Sequence, residues 1–349
     1  VSGEIKNLTK GNSVSIPLTS SVTNTSSTQD KLVGNSYTIK IEPYTSGDKK
    51  AFSCKLHADS TPLADHLIAS GNLWQSGLEG DGYRYTGSGA VGTSTNPNNF
   101  ICFGTNDKST CTANQDKYMY RVLGVFSDAS GDNHVKLIKY QQLMSIRWNA
   151  DRTADIPWEN SDMYKGLNGS YFLSNTTYDY LQNTTWSNKI ENWSWSAVNT
   201  YPNNNEESFY YLFTSKNIYL HEMNRTGKSS TVGKWTTPSA KIGLMYASDY
   251  ALSLGSSALE LTSASNATLK TGWLHQSNND TSKSTDEWTM ALFGYDTKLV
   301  AYNIYRDGDI LVGIVDDLYA VRPVFYLTSD VNITADGDGT LENPFIIQK

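Results

Sequence analysis

The chain is organised around residues 286–327, which read DEWTMALFGYDTKLVAYNIYRDGDILVGIVDDLYAVRPVFYL. Runs of apolar and β-branched residues predict four successive strands, over residues 288–293, 299–305, 310–315 and 320–327. An Asp-Gly pair, Asp307-Gly308, lies between the second and third runs and is a strong hairpin signal. The last run is apolar on both faces, which indicates a strand buried on both sides.

The first two predicted strands and their connections differ from the last one. Tyrosine, aspartate, asparagine and lysine interrupt their apolar positions. A rigid apolar frame that carries polar and aromatic side chains predicts a binding surface. An ordinary sheet with one solvated face accounts for the same pattern equally well, and the sequence leaves both interpretations open.

The composition is typical of extracellular, β-rich binding proteins. The chain has 349 residues, with 22 tyrosines and 9 tryptophans but only 18% charged residues. Tyrosine and tryptophan supply contact area at a low cost in side-chain entropy. A formal net charge of −7 argues against a nucleic-acid-binding protein, which would carry a basic patch. No apolar run approaches the length that a bilayer-spanning helix needs.

Three cysteines, Cys54, Cys102 and Cys111, are too few for a disulfide-dense scaffold. Cys102 and Cys111 flank the polar loop FGTNDKST, whose length suits a local cross-link, so we expect a disulfide between them in an oxidising compartment. Two free thiols are the alternative. Cysteines and histidines show no spacing typical of zinc, and the sequence predicts neither a metal site nor a cofactor.

The pattern of elements predicts an N-terminal β-rich extension, residues 1–58, followed by a larger domain, residues 59–349. The larger domain is predicted to be α+β, with mostly antiparallel short strands, a few short helices and long loops. The strand-like runs 118–126 and 135–140 flank a turn of polar residues and glycine, and predict a hairpin.

Helices are predicted from capping residues. Thr61 is a candidate cap and Pro62 a candidate first residue for a short helix over residues 63–69. Residues 241–246, KIGLMY, predict a strand that runs into a helix capped by Ser248. Between these helices, the tryptophans at positions 148 and 158 are predicted to lie in a polar loop.

Candidate catalytic patterns are weak in this sequence. His221-Glu222 begins like a zinc-peptidase helix, but Arg225 occupies the position of the second histidine. Glycoside hydrolysis needs a pair of carboxylates, and the candidates are Asp296, Asp307, Asp309, Asp316 and Asp317. The turn accounts for Asp307 and Asp309, and the loop after a strand accounts for Asp316 and Asp317. We therefore expect no enzymatic activity, with a carbohydrate-active enzyme kept as an alternative.

Nine short motifs occur once each, in order, from residue 83 onward. They are YRY (83–85), NPNNFICFG (96–104), YRVLGVF (120–126), VKLI (135–138), LNGSYF (167–172), KIGLMYASDY (241–250), EWT (287–289), AVRPVFYL (320–327) and GDGTLENPFII (337–347). With these motifs the sequence resembles a family of uncharacterised surface proteins of gut Firmicutes and their relatives. The domain of that family is similar to C-type-lectin-like and formylglycine-generating-enzyme-like folds.

The resemblance implies a secreted or wall-displayed protein, in some cases associated with pilin-like structures. The C-type-lectin-like fold also carries the variable proteins of diversity-generating retroelements, whose ligand-contacting positions precede the last strand. Residues 291–319 occupy the corresponding place, which is an analogy at the level of the fold. Formylglycine-generating chemistry is not implied, because that activity needs a C-terminal cysteine pair and all three cysteines lie before residue 112.

These observations predict a bacterial adhesin, extracellular and at the cell surface, that binds a host or microbial surface protein or a glycan. Nucleic acid is not an expected partner, and attachment to membrane or wall is expected only through regions outside this chain. Aromatic stacking and directional hydrogen bonds would hold the ligand. The predicted binding face comprises Trp273, Trp288, Phe293, Tyr295, Asp296, Asn303, Tyr305 and Tyr319. A structural head subunit of a surface fibre or pilus is the main alternative.

Overall fold

The computed structural model describes thirteen ranges of the chain. They are residues 37–41, 52–56, 61–87, 97–152, 156–197, 199–200, 214–223, 238–259, 261, 268–276, 286–295, 298–334 and 337–348. The chain divides into two compact units, Val1–Asp59 and Ser60–Lys349. In the first unit, two strands pair as an antiparallel hairpin.

The strands are short, and the longest two have nine residues each. In chain order they are β1 Tyr37–Ile41, β2 Phe52–Leu56, β3 Thr61–Pro62, β4 Leu73–Gln75, β5 Tyr83–Tyr85, β6 Phe100–Cys102, β7 Met119–Ser127, β8 Asn133–Lys139, β9 Ser145–Arg147, β10 Trp193–Ser194, β11 Asn199–Thr200, β12 Ser239–Ala240, β13 Glu287–Tyr295, β14 Lys298–Ile304, β15 Ile310–Ile314, β16 Leu318–Ala320, β17 Val324–Tyr326, β18 Asn332–Ile333 and β19 Phe345–Ile346.

The helices are shorter still, and none in the described ranges exceeds the eight residues of Ser215–Glu222. The α-helices are α1 Leu63–Ala69, α2 Lys108–Ala113, α3 Gln115–Tyr118, α4 Asp162–Leu167, α5 Thr184–Ser187, α6 Ser215–Glu222, α7 Ala247–Leu252, α8 Ser256–Leu259 and α9 Trp273–Gln276. Single 3-10 turns occur at Trp158–Asn160 and Leu269–Thr271, and Thr176–Gln182 forms a longer 3-10 segment with a kink at Tyr178. Among the described helices, none is long and apolar enough to cross a membrane.

Two larger sheets form the second unit. The first has the order β17-β8-β7-β5-β4, and β6 extends it by pairing with both β7 and β19. The second has the order β15-β14-β13-β16-β9, and β11 pairs with β13 in parallel. Most of the pairs are antiparallel, so the unit is α+β with several short antiparallel sheets and few helices, as the sequence predicts.

The two sheets share one hydrophobic core that is rich in aromatic rings. Phe325 of β17 lies at its centre, with ring centroids 4.9 Å from Phe103 and 5.2 Å from Tyr120. Aromatic side chains bury a large apolar area each, so a few of them can organise a core between short strands. Trp148 and Trp158 also belong to this core. Trp148 lies in the connection after β9, as predicted, whereas Trp158 begins a short 3-10 helix.

The predicted strand over residues 320–327 is two strands that belong to different sheets. β16 pairs with β13 and β9, whereas β17 pairs with β8. Pro323 lies between them, and proline has no N–H to donate to a sheet ladder, so one continuous central strand cannot pass through it. Next to it, Arg322 Nε donates to Glu287 Oε1 at 2.7 Å, and both side chains are fully buried.

The helix predictions are confirmed in one place and wrong in another. Helix α1 has the predicted bounds, although Pro62 rather than Thr61 is its N-cap. Residues 241–246 form no strand, and only an isolated bridge joins Gly243 to Val324. Helix α7 starts after Tyr246, whose N–H donates to Asp249 Oδ2 at 2.8 Å, so Ser248 lies within the helix and is not its cap.

Candidate ligand-binding face

Three of the residues predicted to bind a ligand lie in the core instead. Trp273, Trp288 and Asn303 are 1%, 0% and 2% exposed. Both indoles satisfy their N–H inside the protein, since Trp273 Nε1 donates to Tyr85 O at 3.2 Å and Trp288 Nε1 to Ile146 O at 2.9 Å. A buried indole with an internal partner supports the fold, so these residues do not form an accessible face.

Phe293 and Tyr295 lie on strand β13, where the backbone pairs with Val300 and Lys298 of β14. Asp296 lies outside the described residues. The predicted contacts of these three side chains with a ligand stay predictions.

Tyr305 and Tyr319 are the two predicted residues that reach the surface, and each is half-buried. Tyr305 directly follows strand β14 and accepts a hydrogen bond from Arg306 Nη2 at 3.0 Å. Tyr319 lies in the middle of β16 and donates its hydroxyl proton to Asp317 Oδ2 at 3.2 Å. Each ring therefore carries one charged neighbour.

Asp286 joins the two tyrosines into one surface. Its Oδ1 accepts the N–H of Arg306 at 3.1 Å, and the Arg306 Nε lies 3.9 Å from the same oxygen. Its carbonyl accepts the N–H of Ala320 at 2.8 Å, next to Tyr319. We call the group Asp286, Tyr305, Arg306, Asp317 and Tyr319 the Tyr305–Tyr319 face.

The Tyr305–Tyr319 face rests on a rigid support. The ring of Tyr319 lies against Trp288, with centroids 4.3 Å apart and planes tilted by 40°. Gly313 of β15 makes room for it, because a Cβ at this position would come within 2.4 Å of the Tyr319 ring and 3.0 Å of Trp288. Trp288 anchors the stack through its bond to the backbone of Ile146.

The electrostatics of the face combine acids with one exposed cation. Burial raises the pKa of Asp286 above its ordinary value, although Arg306 opposes the shift. Burial, followed by the charges of Asp317 and Asp286, raises the pKa of Tyr319, so this phenol keeps its proton near neutral pH. The hydrogen bond to Tyr305 raises the pKa of Arg306, which stays charged. The face therefore offers acceptors, donors and ring surface together.

An exposed margin of mixed character borders the Tyr305–Tyr319 face. Leu318, next to Tyr319, is 57% exposed, which is unusual for a leucine in a strand. Its partner across the sheet, Arg147, donates from Nε to Asp316 O at 3.0 Å, and Arg152 forms a salt bridge with the Asp316 carboxylate. This margin thus combines one exposed apolar side chain with two arginines bound to Asp316.

Sequence reasoning missed Asp286, Arg306 and Asp317 as members of the face. Arg306 was assigned to the turn around Gly308 and Asp317 to the loop after a strand, which hid their second role. Asp286 is the residue directly before β13, and only the parallel pairing of β13 with β16 brings it next to Tyr319. In the described part of the chain, no group of three His, Cys, Asp or Glu side chains is arranged to hold a metal ion.

Cys102 and Cys111 form a disulfide in the structure. The bond links β6 to helix α2, in a small apolar cluster with Phe100, Met119 and Ile346 that is separate from the main core. Comparisons with protein-family models, curated proteins and solved structures gave no match to this chain. A functional assignment therefore depends on the chemistry of the residues themselves.

Proposed function

We propose that this chain is a bacterial cell-surface or secreted adhesin that binds a glycan through the Tyr305–Tyr319 face. The observation that carries the proposal is the convergence of two half-buried tyrosines, an exposed carboxylate and an exposed guanidinium around the buried Asp286, which holds them together. Sugar rings stack on aromatic rings, and their hydroxyl groups need both donors and acceptors at fixed positions.

The support under the face favours binding without large rearrangement. Tyr319 is held between Gly313 and Trp288, so little side-chain entropy remains to be lost when a ligand stacks on it. Tyr305 has one further restraint, the hydrogen bond that its hydroxyl accepts from Arg306. Preorganised aromatic groups give affinity at a low entropic cost.

The fold and the disulfide agree with a protein of the cell exterior. Short antiparallel strands, few helices and long connections suit the C-type-lectin-like domain that we propose for this unit. A local disulfide such as Cys102–Cys111 forms and persists in oxidising surroundings, as outside a cell. We propose on the same grounds that the protein acts by binding and not by catalysis.

A glycan array probed with the purified chain tests the proposal. We expect selective binding to a subset of sugars, lost in the triple variant Tyr305→Ala, Arg306→Ala, Tyr319→Ala. The variant Tyr171→Ala is the matched control, because this tyrosine is 38% exposed and lies outside the face. Binding that survives the triple variant would contradict the assignment, and turnover of a bound sugar would favour a carbohydrate-active enzyme.

A further inference from the structure

A fully buried cluster of charges, distinct from the residues of the Tyr305–Tyr319 face, surrounds Asp249 at the start of helix α7. Lys136 Nζ of β8 lies 2.5 Å from Asp249 Oδ2, and Arg84 Nη1 of β5 lies 2.5 Å from Asp249 Oδ1. Both distances are shorter than the usual span of about 2.7–2.9 Å for a charge-assisted bond. A second carboxylate, Asp81, holds Arg84 at 2.9 Å.

Aromatic rings enclose the amine of Lys136. Its Nζ lies 4.5 Å from the ring centre of Tyr246 and 5.3 Å from those of Phe126 and Tyr326. The Lys136 and Asp249 side chains are each only 1% exposed. Burial lowers the pKa of Lys136, because the ammonium loses its hydration. Deprotonation of Lys136 to a neutral, nucleophilic amine is therefore easier than deprotonation of a lysine at the surface.

A second acid completes the arrangement. The Glu222 carboxylate accepts the N–H groups of Ala247 and Ser248, at 2.7 and 3.0 Å, on the same helical turn that carries Asp249. Its charge acts on Lys136. Burial raises the pKa of Glu222 to about 7, so this group can take up and release a proton near neutral pH.

We propose that Lys136 and Asp249 form an intramolecular amide cross-link, with Arg84 and Glu222 assisting the reaction. Proton transfer within the Lys136–Asp249 pair gives a neutral amine and a carboxylic acid. The Nζ lone pair attacks Cγ of Asp249, a nitrogen–carbon bond forms, and the carbon–oxygen bond to one carboxyl oxygen breaks. That oxygen leaves as water with one proton from the acid and one from the amine, and no oxidant or other reactant is consumed.

Each neighbour has a defined part in this reaction. Arg84 Nη1 points at Oδ1, where negative charge develops in the tetrahedral intermediate, and so acts as an oxyanion stabiliser. Glu222 takes the proton that the attacking nitrogen gives up and passes one to the leaving oxygen. Lys136 and Arg84 outweigh the effect of burial and lower the pKa of Asp249, so the neutral pair is a minor state. A slow rate suffices, because each molecule reacts once.

Lys139 provides an internal comparison on the same strand. It is fully buried as well, but the hydrogen bonds of its Nζ go to the carbonyl oxygens of Lys117 and Met119, at 3.1 and 3.3 Å. A peptide carbonyl carbon is a poor electrophile for an amine, because attack there would have to expel the peptide nitrogen, a poorer leaving group than water. Both lysines are buried, but of the two only Lys136 has a carboxyl group next to its amine.

Mass spectrometry of the intact, reduced chain tests the proposal. We expect a mass about 18 Da below the sequence mass, the loss of one water, and a branched peptide after digestion in which Lys136 is joined to Asp249. An unshifted mass with both residues in linear peptides would overturn the proposal. A loss of water mapped to any other residue would overturn it as well.

Two variants separate the cross-link from simple burial. Glu222→Gln keeps the reacting pair but removes the proton carrier. We expect most of this variant to show its full sequence mass, without the loss of water. Lys139→Met leaves the reacting groups intact, and we expect it to keep the cross-link. Full cross-linking in Glu222→Gln would overturn the role of Glu222. Loss of the cross-link in Lys139→Met, with native circular dichroism, would show that Lys139 is required and would overturn the assignment of the reacting groups.

Discussion

The ring of Tyr319 lies 4.3 Å from that of Trp288, and the first is half-buried while the second is fully buried. This contact restricts the position of a surface side chain by packing it against a fixed residue of the core. Trp288 is fixed by its N–H bond to Ile146 O, and Tyr319 is fixed by Trp288. A residue that the sequence marked as a ligand contact thus holds another one in place.

Replacing Gly313 by alanine is expected to displace the Tyr319 ring. The new Cβ would fall 2.4 Å from that ring, closer than atoms can pack, and overpacking of this kind costs about 1–3 kcal/mol. Urea denaturation measures the loss, and glycan affinity should fall with it. In the Tyr319→Ala background the same substitution should cost clearly less. Equal costs in both backgrounds would show that the ring does not occupy this space.

Binding at the Tyr305–Tyr319 face is expected to weaken as the pH falls through the raised pKa of Asp286. Below that pKa the carboxyl is neutral, so it holds Arg306 less firmly and accepts hydrogen bonds from a ligand less well. Titration of glycan affinity between pH 7 and pH 4 measures the effect. Asp286→Asn should give weaker binding that no longer changes over this interval, and an unchanged pH profile in that variant would contradict the role of Asp286.

Lys139 is expected to make the folding free energy depend on pH in the alkaline range. Burial lowers its pKa from 10.5 to about 7, so the unfolded chain binds more protons than the folded one between these values. Stability should therefore rise as the pH increases from about 7 toward 10.5, by up to roughly 4 kcal/mol. Tyrosines also titrate there, so the measurement is the difference between wild type and Lys139→Met.

The test for Lys139 compares how the free energy of unfolding changes with pH in the wild type and in Lys139→Met. We expect the Lys139→Met protein to lack most of the rise, because methionine carries no proton to lose. Identical slopes in both proteins would show that the Lys139 amine has an ordinary pKa in the folded state.

Reduction of the Cys102–Cys111 disulfide is expected to destabilise the second unit moderately. The two residues are nine apart in sequence, and the chain-entropy model gives about 2–3 kcal/mol for a loop this short. Denaturant titrations with and without a reducing agent measure the difference. The double variant Cys102→Ala, Cys111→Ala serves as the control, since its midpoint should not respond to the reductant. A wild-type midpoint that is equally insensitive would contradict the expected contribution.

The sequence predicts local elements of this fold well where short-range chemistry determines them. The Asp307-Gly308 turn and the bounds of helix α1 follow from residues within one turn of each other. The break of the last predicted strand was accessible too, because Pro323 lacks the N–H that a central strand needs. The α+β class follows from the same local patterns.

The candidate face was predicted only in part, because its residues come together only when strands that are distant in sequence pair as neighbours in the sheet. Trp288 and Asn303 lie on strands with an alternating pattern, which does not reveal that Tyr319 of a later strand covers that side of the sheet. Lys136 is a similar case. The alternation of strand β8 suggests a solvated side, yet the strand is covered on both sides and its lysine meets Asp249 from 113 residues away.

Backbone hydrogen bonds help to close the turns that carry the exposed side chains, beside the bonds that the carboxylates of Asp286 and Asp307 accept. Tyr305 N donates to Asp309 O at 2.8 Å, Gly308 N donates to Tyr305 O at 2.7 Å, and Asp317 N donates to Ile314 O at 2.9 Å. Exchange of the side chains at positions 306, 317 or 318 leaves these bonds in place. Under the proposed binding function, exchanges at these positions would change ligand specificity while the scaffold stays the same, so that specificity and foldability would evolve as separate traits.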